Sequence, residues 1–242
     1  MSTLISARWN RFVSVPLSLI MIAAGLLFSG VASAQAIMTG TAHDFSDDGF
    51  TNEICVVCHT PHNALSETEG GAGPGELGPL WNRTLTQVSD YTLYTEFTRV
   101  GSDIDATGFG QPTGVSKLCL SCHDGTIAID SFGRNPDNSV NVGGTTFVGD
   151  INANANIGEG SGITGDLSND HPVAFTFPTQ VQDPEIQAFA AGLVNSTLPL
   201  FGPGEDQMEC ATCHDVHATG TFGPLLRVNN ANSNLCVTCH IK

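Results

Sequence analysis

Cys210-Ala211-Thr212-Cys213-His214, with His217 three residues further on, decides how this chain is read. Residues i, i+3 and i+4 share one face of a helical turn, so two thiols and an imidazole project together. The same phrase stands at Cys55-Val56-Val57-Cys58-His59, Cys119-Leu120-Ser121-Cys122-His123 and Cys236-Val237-Thr238-Cys239-His240. The chain has 8 Cys, and the four phrases use all of them. No cysteine is left over for a structural disulfide or a free thiol.

C-x-x-C-H is the attachment motif of a c-type haem. The two thiols form thioethers to the two vinyl groups, and the adjacent imidazole falls under the iron as its proximal ligand. Zinc clamps and redox dithiols also use paired cysteines. A zinc clamp does not require His directly after the second Cys, and a redox dithiol would occur once, after a strand. The sequence therefore predicts four covalent haems with iron. Their thioethers fall on Cys55, Cys58, Cys119, Cys122, Cys210, Cys213, Cys236 and Cys239. Their proximal ligands are His59, His123, His214 and His240.

There are 8 His, and those outside the motifs are His43, His62, His171 and His217. Four irons need four distal ligands, so supply matches demand. Beyond the N-terminal apolar stretch only Met38 and Met208 could compete. Bis-His ligation at every iron is expected, and with it lower potentials than Met/His ligation gives. His62 and His217 each follow a proximal His by three residues. Neither can cap its own haem, because the porphyrin plane lies between the axial positions, so each must reach a neighbouring one. The last two motifs start closest together, at Cys210 and Cys236, which puts the third and fourth haems side by side.

The N-terminus reads as an export signal. Arg8 and Arg11 precede a mostly apolar run from Phe12 to Phe28, and Val31-Ala32-Ser33-Ala34 has the small residues of a cleavage site. The expected organisation is a cleaved signal peptide over 1–34 and one tetrahaem domain over 35–242, with no membrane span in the mature chain. Export suits the chemistry, because c-type haem is attached outside the cytoplasm. Lys and Arg number 8 against 24 Asp and Glu, a formal net charge of −16. Such a surface argues against nucleic acid and anionic membranes as partners, and for cationic or cation-bridged ones.

Between the motifs the chain is loop-like. Residues 66–79 are rich in Gly and Pro, and 131–170 in Gly, Asn, Asp, Ser and Thr. Val140, Val142, Phe147, Val148 and Ile151 suggest one or two hairpins, and Asp183–Val194 a short helix with Pro184 in its first turn. Pro172 holds His171 on an extended backbone. Trp81, Tyr91, Tyr94 and Phe97 are expected on porphyrin faces. Four porphyrins supply apolar surface that this composition lacks, without which chain entropy would be hard to offset. The predicted fold class is mostly irregular coil with short α-helices at the motifs and a few short β-hairpins, wrapped around a stack of four haems.

The signal, the four motifs, the C-x-x-C-H-x-x-H extension at His62 and His217, and the Gly/Asn-rich wrap resemble exported multihaem c-type cytochromes. Size, haem number and the early His43 are similar to the tetrahaem extracellular cytochromes of the OmcE type. The resemblance spans about residues 41 to 242 and rests on motifs and layout, not on the loops. It implies electron transfer without catalysis, in a secreted homopolymer that forms a conductive filament at the cell surface. It also implies that one haem takes its distal His from the neighbouring subunit. His43, close behind the expected cleavage site in a stretch of little apolar content, is the expected donor, reaching one of the two C-terminal haems. Redox proteins or extracellular acceptors would complete the path. Two other classes fit the residues: a soluble periplasmic tetrahaem shuttle, and a multihaem reductase with one open iron.

Overall fold

A computed structural model describes residues 38–49, 51–66, 78–86, 88–94, 110–134, 141–157, 165–217 and 222–241. The expected signal peptide, most of the 66–79 loop, Phe97 and Val140 lie outside these residues.

Regular structure is sparse and short, as the Gly- and Asn-rich composition dictates. Helix α1, Gly114–His123, carries the second motif and buries Ser116, Leu118, Leu120 and Ser121. It stops where Gly125 turns left-handed at φ 72° and its amide bonds Cys122 O at 3.1 Å, a closure that glycine adopts without steric penalty. Helix α2 is Val148–Ile151. Helix α3, Cys210–Cys213, and helix α4, Asn234–Cys239, carry the third and fourth motifs. The expected helix at the first motif is only one turn, closed by His59 N–H to Cys55 O at 2.8 Å. Thr60-Pro61 follows it, and the residue before a proline is pushed out of helical space.

Strand pairs tie distant segments together. β1, Thr92–Leu93, runs parallel to β2, Asp166–Leu167. β3, Phe175–Thr176, and β7, Gln207–Met208, pair antiparallel. Between them β4 (Phe189–Ala190), β5 (Leu193–Val194) and β6 (Leu198–Pro199) form an antiparallel meander.

Two local expectations are corrected. Asp183–Val194 is no helix: its second half is the β4–β5 hairpin, closed by Ala191 and Gly192 at φ 50° and 70°. Two consecutive positive φ angles are those of a two-residue hairpin turn, whose twist matches its strands. At 147–151 helix α2 replaces a hairpin, because the Asp150 carboxylate accepts the Phe147 N–H at 2.9 Å and fixes a helical first turn.

Four small apolar clusters replace a single core. The largest joins Phe175, Phe177, Ile186, Val194, Leu198, Leu200 and Met208 to Cys239, with Cys213 packed against it. Leu65, Trp81, Leu85 and Leu118 form a second against Cys58. Val57, Ile129 and Val148 form a third, also against Cys58. Tyr91, Leu120 and Leu167 form the fourth. Every cluster contains or touches a motif residue, so packing converges on the C-x-x-C-H turns. No helix among the described residues is long and apolar enough to cross a membrane.

Candidate haem-binding site

The first, third and fourth motifs are built the same way, whereas the second lies at the end of helix α1. A helical turn aligns the two cysteines, and the histidine amide closes it on the first cysteine's carbonyl, at 3.0 Å for His214 and Cys210 and 2.8 Å for His240 and Cys236. The backbone then extends, with ψ 145° at His214 and 131° at His240. This extension lets the histidines bridge neighbouring segments: His59 pairs with Trp81, His214 with Leu226 and His240 with Ile186. The turn and the bridge together fix the Cα of each of these imidazoles.

The rings are fixed as well. His59 Nδ1 donates to Pro79 O at 2.6 Å, His123 Nδ1 to Ala155 O at 2.6 Å and His214 Nδ1 to Pro224 O at 3.0 Å. His171 Nδ1 donates to Pro172 O at 2.9 Å. A carbonyl can only accept, so the proton sits on Nδ1 and the lone pair on Nε2. Metal-ligating histidines are commonly held this way.

The structure brings six of the eight imidazoles together in pairs. Ring centroids are 5.9 Å apart for His43 and His123, 6.1 Å for His59 and His217, and 6.4 Å for His171 and His240. Two imidazoles on one metal, with bonds of about 2 Å and ring centres about 1 Å behind each nitrogen, stand about 6 Å apart. Each pair joins one proximal and one distal candidate. His43 thus stands over His123 of its own chain, edge-on to Phe45 at 6.0 Å. In the single chain this ring is largely buried beside His123.

His62 and His214 are the remainder. Both are exposed, and among the described residues neither forms a ring pair, although His214 lies near enough to His43 and His123 to help lower both of their pKa values. His62 rides an outer turn in which Thr60 Oγ1 donates to His62 O at 2.7 Å. His214 is oriented like the other proximal rings. Its loop is clamped by an Arg227–Asp215 ion pair at 2.8 Å and by Arg227 Nε donating to Ala211 O at 2.8 Å.

Electrostatics favour neutral ligands. Burial, reinforced by His123, pushes the His43 pKa down to about 4, and burial also lowers that of His123. Burial raises Cys58 to about 12 and Cys213 and Cys239 to about 11. Cys210 is lowered and Cys119 raised because the Cys119 thiol donates to the Cys210 sulfur. The second and third motifs therefore touch. They are also locked by Ser116, whose amide donates to Glu209 Oε2 at 3.2 Å and whose hydroxyl accepts from Cys210 N–H at 3.0 Å. Among the described residues no three His, Cys, Asp or Glu side chains converge as a structural zinc would require.

Sequence reasoning missed several contributors. The carbonyls of Pro79, Ala155 and Pro224 carry no side-chain signature. Trp81, edge-on to His59 at 6.2 Å, was placed only generically among the aromatics. Arg83 had a signal, as one of few cations in an acidic chain, that went unread.

Residues 202–242 match the family described as Doubled CXXCH motif. No curated protein matches the chain. The matched segment holds the third and fourth motifs, and such a doubled motif marks a multihaem c-type cytochrome, binding haem covalently and carrying electrons. The residues fit that cofactor: paired thiols on one face, Nδ1-anchored imidazoles and ring pairs at the spacing of two ligands on one metal.

Proposed function

We propose that the chain is a tetrahaem c-type cytochrome with bis-His ligation, exported through its N-terminal signal, that polymerises into an extracellular conductive filament. The iron supplies a one-electron couple. The paired imidazoles would hold the iron, the cysteines would anchor its porphyrin, and the four apolar clusters keep the motif turns packed together.

The supporting observation is the arithmetic of the imidazoles. Three proximal candidates face a distal candidate in their own chain, whereas His214 and His62 are in no ring pair among the described residues and are both exposed. His62 of one chain over His214 of the next would complete the fourth site. Such a contact is heterologous, and repeated without closure it builds an open helical filament. With all eight imidazoles engaged, no iron is open for catalysis. The path through the chain would leave by His214 and enter the next subunit without a gap. Electron microscopy of the native secreted protein tests this reading. Filaments whose repeat is one chain support it, and monomers throughout contradict it. Mass spectrometry should find four covalent haems on residues 35–242.

A soluble periplasmic shuttle is the second reading, favoured by three pairs closing within one chain. The open His214 position favours a reductase as the third, and nitrite or CO binding to the native reduced protein would support it.

A further inference from the structure

Arg83 is fully buried, at 0% exposure. Its Nη1 donates to Val57 O at 3.2 Å and Ile129 O at 2.6 Å, and its Nη2 to Ala128 O at 2.6 Å. Its Nε is buried with no partner. Among the described residues no carboxylate pairs with it. Val57 lies inside the first motif, and Ala128 and Ile129 follow the second closely, so the guanidinium is wedged between the two. It also reaches the Cys122 sulfur. Arginine cannot shed its proton, and a buried charge without a counter-ion is costly. Carbonyl dipoles offset part of that cost but leave a full positive charge in a low-dielectric interior.

A second buried charge sits nearby with the opposite sign. Asp124, 3% exposed, follows His123 directly. Its carboxylate accepts from Tyr91 Oη at 2.7 Å, Thr126 N at 2.8 Å and Thr126 Oγ1 at 2.7 Å, and also from the Thr86 hydroxyl. The second motif thus lies between Arg83 and Asp124, whereas the first faces Arg83.

We infer that Arg83 is a fixed internal cation at the thioether edges of the first and second haem sites, which raises their reduction potentials and makes them the places where an electron rests, with Asp124 offsetting the effect at the second. The couple concerned would be the one-electron reduction of a haem held there, with the electron supplied by a redox partner protein and no proton taken up. The positive charge stabilises the added electron by Coulomb attraction, which is stronger in the interior than in water. The first site is then the better electron acceptor of the two, which gives the chain an internal slope. This inference rests on reading the first two motifs as haem sites.

Spectroelectrochemical titration of the intact four-haem protein tests it, with haem content established beforehand by mass, so that a failed haem reading is distinguishable from a failed inference. Arg83→Gln should lower two of the four midpoints, the larger by a factor of about ten in the ferrous-to-ferric ratio at fixed potential, 59 mV for a one-electron couple. Arg83→Lys, which keeps the charge, should leave them near the wild-type values. Unchanged midpoints in Arg83→Gln, or equal shifts in both variants, would overturn the inference. Asp124→Asn leaves the carbonyl bonds of Arg83 in place and covers the case in which Arg83→Gln does not mature. It should raise one midpoint by a similar factor, and an unchanged set would overturn the inference equally.

Discussion

The rings of His59 and His217 stack with 6.1 Å between centroids and 28° between planes, although they belong to the first and third motifs. Nothing local forces this. His59 is aimed by its bond to Pro79 O at 2.6 Å, and His217 is presented by a turn in which its amide donates to Asp215 Oδ1 at 3.0 Å. The trailing histidine of the third motif therefore packs against the proximal candidate of the first.

His217→Ala should remove the partner of His59 and nothing else. The protein is expected to keep its full haem load while one iron turns high-spin and binds CO on reduction. Visible and electron paramagnetic resonance spectra read both. An unchanged low-spin spectrum would mean that the pair does not share an iron.

His62→Ala and His43→Ala separate the two candidates for the contact between chains. With His62 removed, the pairs at His123, His59 and His240 should persist and assembly should fail in electron micrographs. With His43 removed, one low-spin site should disappear while filaments still form. The reverse outcome would return the intermolecular role to His43.

Acid should weaken the fold through His43. Its folded pKa of about 4 lies below the ordinary value of 6.5, so between these values the unfolded chain binds a proton that the folded chain refuses. Stability is complete above about pH 6.5 and declines as pH falls towards about 4, by roughly 3 kcal/mol at about 1.4 kcal/mol per unit. Denaturant midpoints measured across this range check it. His43→Ala should flatten that part of the curve.

Leu198 is fully buried and joins the meander to the cluster that receives Cys213 and Cys239. Leu198→Ala should cost about 2–5 kcal/mol, by lost transfer energy and the cavity left behind. Thermal unfolding followed in the far ultraviolet should show a midpoint several degrees lower. A change below 1 °C would mean that this cluster contributes little beside the cofactors.

The chemistry was legible in the sequence, and the geometry between distant segments was not. Four C-x-x-C-H phrases carry their own turn, so thiols and proximal rings could be placed from spacing alone. The partner of each ring depends on tertiary packing, which spacing does not encode. The polar neighbours of His43 gave no sign of its ring contacts with Phe45 and His123 in the single chain. The helix expected over Asp183–Val194 failed because Ala191-Gly192 takes up a tight hairpin turn, a choice that Ala at a positive φ hides. Arg83 was passed over because nothing in its local sequence says that three distant carbonyls surround it.

The most direct test is to count low-spin and high-spin irons by electron paramagnetic resonance in one preparation, first dispersed to single chains and then assembled. The account predicts three low-spin irons and one high-spin iron in the single chain, with the high-spin signal lost on assembly as His62 of a neighbour closes over His214. Four low-spin irons in the isolated chain, or a high-spin iron that persists in the filament, would contradict it.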